Sequence, residues 1–195
     1  MLKDKLKNYR LILASGSPRR QQFLRDLDVD FEIRLKDVAE IYPPNLQGAE
    51  ITDFLAKLKA DALEDSLTDN EIAITSDTIV WHENKALGKP TDYDDAFAML
   101  QKLSGKTHEV ITSVCIKNAG KADVFNETTR VTFNTLSDEE IKYYLDNYKP
   151  FDKAGSYGIQ EWIGLVAIAR VDGSYATVVG LPVDKVYQRL CKFIR

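Results

Sequence analysis

Apolar and polar positions recur along this chain with two periods, and the changes of period mark out its elements. Leu11-Ile12-Leu13-Ala14 is an unbroken apolar run, the pattern of a short strand buried on both faces, here over residues 10–14. A helix follows over 18–27, with Phe23, Leu24 and Leu27 on one face. Val29, Phe31, Ile33 and Leu35 then alternate with polar residues and predict a half-buried strand over 29–35. After the break at Pro43-Pro44, residues Ile51, Phe54, Leu55, Leu58 and Ala62 recur at helical spacing and predict a long helix over 49–66.

Glu71-Ile72-Ala73-Ile74-Thr75 reads as a short strand, separated by Ser76-Asp77-Thr78 from a second apolar run, Ile79-Val80-Trp81. A helix capped by Thr91 or Asp92 runs to Leu103 and is closed by Gly105. Strands are predicted over 107–117 and 123–133. The capping box Ser137-Asp138-Glu139-Glu140 then opens a helix over 138–146. Beyond a polar and aromatic loop over 147–161, strands at 162–171 and 174–179 flank an Asp172-Gly173 turn and predict a hairpin; Pro182 starts the last helix. Helices alternate with strands in the first half and hairpins dominate the second. The fold class is therefore α/β, a mixed twisted sheet flanked by helices, with residues 1–195 forming a single domain.

Composition narrows the picture only a little. Apolar content of 44% and charged content of 29% over 195 residues suit a soluble globular chain with a substantial core. A formal charge of −4 argues against a nucleic-acid polymer as partner, so any positive charge used on an anion has to be gathered locally. No apolar run approaches the roughly 20 residues of a membrane span, and the N-terminal segment lacks a signal-peptide core, which together predict a cytoplasmic protein that avoids membranes. Cys115 sits in an apolar strand pattern and is expected to be a reduced core thiol. His82 and His108 are too few for a histidine-rich metal site.

Candidate chemistry begins where the first strand ends, in Ser15-Gly16-Ser17-Pro18-Arg19-Arg20. Pro18 suits the first helical position and Ser17 the N-cap, so free amides, the positive end of the helix dipole and two hydroxyls converge on one spot. Such a spot attracts phosphate, and Arg19 and Arg20 add two planar cationic forks. The segment is neither a P-loop nor a dinucleotide fingerprint. Asp77, lodged between apolar runs, is expected at a strand end, since a carboxylate inside a strand would be a costly buried charge. It suits metal binding or water activation, and equally a turn that caps local amides. Lys89, between Gly88 and Pro90, is either a phosphate ligand or a solvated turn lysine. In the segment 151–160, Gln160 has the donors and acceptor to read a nucleobase edge, while Asp152 and Lys153 can pair to order the loop.

Together these segments resemble the Maf-like family of nucleoside triphosphate pyrophosphatases. Those that carry the resemblance are Leu13-Ala14-Ser15-Gly16-Ser17-Pro18-Arg19-Arg20, Leu58-Lys59-Ala60, Ser76-Asp77-Thr78-Ile79-Val80 and Gly88-Lys89-Pro90. Further along come Leu103-Ser104-Gly105-Lys106-Thr107-His108, Asp152-Lys153-Ala154-Gly155-Ser156-Tyr157-Gly158-Ile159-Gln160 and Val179-Gly180-Leu181-Pro182. They follow family order and span nearly the whole chain.

The resemblance implies a two-lobed, elongated fold with a cleft between the lobes, frequently a homodimer. It also implies hydrolysis of a nucleoside triphosphate between the α- and β-phosphates with a divalent cation, Mg²⁺, Mn²⁺ or Co²⁺. It makes Asp77 the catalytic carboxylate and a metal ligand. Ser15, Ser17, Arg19, Arg20, Lys59 and Lys89 become phosphate-binding residues, and Arg19, Thr78 and Gln160 stand at positions tied to base preference. The Tyr157-Gly158-Ile159-Gln160 form resembles the subgroup acting on dTTP and UTP. A non-catalytic nucleotide-binding regulator of cell division is the alternative in keeping with the family's name. Three residues depart from the family's pattern. Glu161 replaces a usual glycine and either reshapes the loop or repels phosphate, Ser76 replaces a common alanine, and Ala39-Glu40 leaves one carboxylate where a pair is common. Glu40 must then serve as the second metal ligand, or the metal site is weaker.

Overall fold

In the computed structural model, which describes residues 1–194 and so leaves out Arg195, the last residue of the expected domain, the apolar run becomes β1 (Arg10–Leu13). It is preceded by α1 (Leu2–Lys5) and followed by α2 (Pro18–Asp26), β2 (Phe31–Ile33), α3 (Ala49–Asp61), β3 (Glu71–His82), β4 (Lys85–Leu87) and α4 (Tyr93–Leu103). Then come β5 (Thr107–Lys117), β6 (Ala122–Phe133), α5 (Asp138–Tyr148), α6 (Trp162–Val166), β7 (Ile168–Asp172), α7 (Tyr175–Val179) and α8 (Val183–Phe193). The strands form a seven-stranded mixed sheet of order β2-β1-β3-β5-β6-β7, with β4 paired to β3. The α/β expectation holds. No helix among the described residues is long and apolar enough to cross a membrane.

The chain divides into two compact units. The first holds Met1–Asp77, Thr112–Glu127 and the chain from Gly180 onward; the second holds Thr78–Ile111 and Thr128–Val179. In the first unit, β1 runs parallel to both β2 and β3, with Leu11 opposite Ile72 and Leu13 opposite Ile74. Leu11 and Leu13 enter one buried cluster with Leu24 of α2 and Val186 and Leu190 of α8, while Ile12 points the other way, onto Leu63. Both faces of β1 are covered, as a parallel strand with an all-apolar sequence requires.

In the second unit, Ala96 and Leu100 of α4, Tyr144 and Leu145 of α5, Phe133 and Ile163 share one core. The turn between β3 and β4 places Glu83 and Asn84 at φ 49 and 59, the left-handed pair that a tight hairpin uses. The capping box at Ser137 and Glu140 forms as read, and Asp92 rather than Thr91 caps α4.

Four expectations need correction. The strand over 29–35 shortens to β2, an edge strand paired only with β1. The chain leaves the sheet where Arg34 turns its guanidinium onto buried Glu71, at 2.8 and 3.0 Å, and Ile33 and Leu35 are left exposed. The helix over 49–66 ends at Asp61; Glu64–Ser66 is a 3₁₀ turn in which the Ser66 hydroxyl and amide both bond the Leu63 carbonyl.

The third correction is that the two apolar runs around Asp77 form one strand, β3. The fourth is the hairpin over 162–179, which does not form. Residues 162–166 are helical because Ile163 and Ala167, four apart, are both fully buried while Leu165 faces outward. Of this segment, β7 alone is a strand, and it joins the sheet beside β6. Past Gly173 the chain turns into α7, with the Thr129 hydroxyl bonding both the amide and the carbonyl of Ser174.

Candidate active site

Ser15 and Ser17 lie just beyond the C-terminal end of β1, where the Ala14 amide still bonds the Ile74 carbonyl of β3 at 2.9 Å. Crevices at this end of parallel strands are where open α/β sheets receive ligands. Pro18 occupies the first turn of α2, and Ser17 caps it by accepting from the Arg20 amide. The buried Ser15 hydroxyl accepts from the Ser17 amide at 3.3 Å, which fixes the turn. The helix start is capped by Ser17 as the sequence predicts, with Ser15 ahead of it.

Arg20 is engaged with the protein. Its Nε donates to the Gly180 carbonyl at 2.8 Å and its Nη1 to the Ser76 carbonyl at 2.9 Å. Burial lowers its pKa, while Asp77 nearby favours its charge. Ser76 faces the same way, donating its hydroxyl to the Gly180 carbonyl at 3.0 Å. The serine at position 76, where the family commonly has alanine, thus adds a tie between β3 and the start of the C-terminal segment. The Gly180 carbonyl carried no signal in the sequence, because a backbone acceptor leaves no mark there.

Side chains alternate along β3, so Thr75 and Asp77 point to the face opposite Ser76. That face is covered by α3, whose buried residues Ile51, Leu55, Ala56 and Ala60 hold it in place. The Thr75 hydroxyl donates to the Ala56 carbonyl at 2.6 Å and sets the position of the helix along the strand. Lys59, one turn further on, thereby reaches Asp77: its Nζ lies 2.6 Å from Asp77 Oδ1 and 3.0 Å from Glu40 Oε1. Asp77 is 6% exposed and sits mid-strand. A buried carboxylate is tolerable there because a cation with fixed geometry is paired with it.

Two carboxylates therefore converge on one cationic group. Hard oxygen donors of this kind suit Mg²⁺ or Mn²⁺, which are commonly held by one or two carboxylates with substrate phosphates completing the shell. Among the described residues, no cluster of three or more His, Cys, Asp or Glu side chains is placed to hold a metal by itself. The residues present fit a cation shared with substrate better than a resident structural ion.

Thr78, Lys89 and Gln160 belong to the second unit. Thr78 is half-buried in β3; Lys89 and Gln160 are exposed. The Gly88 carbonyl accepts from the Gly155 amide at 3.0 Å, so the turn that carries Lys89 is tied to the loop that carries Gln160. Lys153 pairs with Asp152 at 2.7 Å, as the ordering role predicts, and also with Glu161 at 3.1 Å. Glu161 also accepts a hydrogen bond from the Tyr144 hydroxyl. Tyr144 was not singled out in the sequence, since a tyrosine at an apolar helix position reads as core.

The family described as Maf-like protein matches residues 10–193 of this chain. A dTTP/UTP pyrophosphatase of Flavobacterium psychrophilum is 66% identical over 187 residues, 96% of each chain. One of Flavobacterium johnsoniae is 62% identical over 194 residues, 100% of each chain. Among solved structures, the Staphylococcus aureus Ham1 protein superposes with a TM-score of 0.55 at 14% identity, covering 94% of this chain and 99% of that one, a likeness of fold. With the match running from β1 to the last residue of α8, the chain belongs to the family of Maf-like proteins.

Proposed function

We propose that this chain hydrolyses dTTP and UTP to the nucleoside monophosphate and pyrophosphate, with a divalent cation. The observation that carries the reading is the convergence of two carboxylates, Asp77 and Glu40, on Lys59; their charge also reaches Arg20 in the first turn of the capped α2. The family and the names of the relatives supply the reaction and the bases.

Phosphoryl chemistry needs the charge on the phosphate oxygens neutralised and a water held in line. The amides at the start of α2, the hydroxyls of Ser15 and Ser17, and Arg19 receive phosphate oxygens. Arg20, braced on Gly180 and Ser76, holds the shape of that turn and adds its charge. Lys59, fixed by its ion pairs, supplies a compact ammonium where charge builds on phosphate. Asp77 takes a proton from the attacking water. Asp77 and Glu40 would hold Mg²⁺, Mn²⁺ or Co²⁺, which when bound neutralises phosphate charge and orients the α- and β-phosphates. The family resemblance adds Thr78, Lys89 and Gln160 as further substrate-binding residues, with Gln160 on the edge of the base.

The test is pyrophosphate release from dTTP, UTP, CTP, GTP and methylated GTP with each cation, using Asp77→Asn as the control. Turnover of dTTP and UTP that the variant lacks is the expected result. Nucleotide binding without turnover on any substrate would overturn the enzyme and favour the non-catalytic regulator.

A further inference from the structure

Residues 153–161 form a loop that is buried almost throughout, yet ends in an exposed glutamine. Lys153, Gly155, Ser156, Tyr157, Gly158 and Ile159 are all buried, and Gln160 is exposed. The loop is held from several sides. Gly155 and Ser156 both adopt left-handed backbone, at φ 67 and 61, and for Ser156 that conformation is strained. A Cβ on Gly155 would come within 2.6 Å of the Val80 side chain. Such strain persists only where the surroundings over-determine it.

The last four residues of the segment, 158–161, make a turn closed by the Glu161 amide on the Gly158 carbonyl at 3.0 Å, with Gln160 at its third position. Both ends of this turn meet one hydroxyl group. The Gly158 amide donates to the Tyr144 Oη at 3.0 Å, and the Tyr144 hydroxyl donates to Glu161 Oε2. The other carboxylate oxygen of Glu161 takes the Lys153 ammonium at 3.1 Å, which closes the loop back on its own start. Tyr144 is fully buried on α5, and burial together with Glu161 holds its phenol well above the usual range, so it stays a donor. The carboxylate at position 161 is therefore spent on Tyr144 and Lys153. That favours a reshaped loop over repulsion of phosphate.

We propose that Glu161 is a positioning residue for base recognition: with Tyr144 and Lys153 it clamps both ends of the turn that presents Gln160, and so sets the selectivity among bases. The proposal rests on the reading that Gln160 contacts the base. A side chain on a fixed turn loses little freedom when it binds, so releasing the turn costs affinity rather than chemistry. The effect belongs in KM, as expected of a contact made equally in the ground and transition states.

The experiment is steady-state kinetics with UTP and GTP on Gln160→Ala, Tyr144→Phe, Glu161→Gln, and each of the last two combined with Gln160→Ala, with melting temperature recorded for every variant. Tyr144→Phe and Glu161→Gln are expected to raise KM for UTP roughly tenfold, the scale of one lost hydrogen bond, with kcat changed less than about twofold. In the Gln160→Ala background neither should raise KM further. If Gln160→Ala leaves the preference for UTP over GTP intact, the base reading itself is wrong and the proposal falls with it. If Gln160→Ala abolishes the preference but the clamp variants match wild type, or add their full effect to Gln160→Ala, the clamp is structural only and the proposal is overturned. Should Tyr144→Phe fail to fold, the isosteric Glu161→Gln carries the same comparison.

Discussion

The Lys59 ammonium sits 2.6 Å from the Asp77 carboxylate inside the first unit, on a helix fixed to β3 by the hydroxyl of Thr75. One ion pair thus neutralises a mid-strand carboxylate and, in the proposed reaction, holds a cation where phosphate would lie. Replacing Asp77 with Asn keeps the shape and removes the proposed base. Turnover should fall by roughly 10²–10⁴-fold, the range for loss of a general base, with the melting temperature within a few degrees of wild type. Lys59→Met should also lose turnover. It leaves two carboxylates facing each other without their shared cation, so it should cost about 1–3 kcal/mol of stability. That is less than for a fully buried pair because the Lys59 side chain keeps 18% exposure. Chemical denaturation of the two variants side by side checks both expectations.

If the two carboxylates also receive a divalent cation, the ammonium of Lys59 competes with it for the same oxygens. Titrating Mg²⁺ or Mn²⁺ should raise the melting temperature of the wild-type protein, because a ligand that binds only the folded state stabilises it. Glu40→Gln should weaken that response by roughly tenfold or more in cation concentration, since it removes one of two charged ligands. Lys59→Met should bind the cation at least as tightly as wild type while remaining inactive. A metal response unchanged by Glu40→Gln would remove Glu40 from the metal site.

Much of this was legible in the sequence where local chemistry decides structure. The capped start of α2, the capping box of α5 and the buried run of β1 each follow from residues within one turn of one another. What escaped was decided by distant partners. Asp77 looked like a strand end because the cation that makes it tolerable lies 18 residues earlier, on another element. The 162–179 segment looked like a hairpin because Val166, Ile168 and Val171 favour strands. Burial of Ile163 and Ala167 in the core with Tyr144 wound the first part into a helix instead. Glu161 was visible as a departure from the family's pattern. Its partner Tyr144 stands 17 residues away on α5 and carried no signal of its own.

Stability should fall on mild acidification, and His108 is the reason. Its Nε2 shares a 2.7 Å hydrogen bond with the Tyr157 hydroxyl, and burial pushes its pKa down to about 3 from the ordinary 6.5. The unfolded chain then takes up a proton that the folded chain refuses. The stabilisation is therefore complete above pH 6.5 and is lost progressively as pH falls from there toward 3. Glu71, held down to about 2 by the Arg34 guanidinium, adds a second loss only below its ordinary value of 4.5. Between pH 6.5 and 4.5 the slope should be about 1.4 kcal/mol per pH unit from His108. His108→Gln should flatten that part of the urea-denaturation profile and leave the steeper acid limb in place.

Gly164 supplies the most stringent steric test of the loop that carries Gln160. A Cβ at position 164 would stand 1.8 Å from the Ile159 carbonyl oxygen, which is backbone and cannot swing aside as a side chain would. The clash falls on the residue just before Gln160, at the centre of the clamped turn. Gly164→Ala should therefore cost about 3 kcal/mol or more, in the range where a single substitution signals a named structural conflict. Any folded protein recovered should show a raised KM, because the turn can relieve the clash only by moving Gln160. Gly88→Ala is the matched control: nothing lies within 4 Å of the added carbon, so its stability should stay close to wild type. Equal melting temperatures for the two variants would mean that helix α6 can shift away from the loop, and that the position of Gln160 is not fixed by the contact at Ile159.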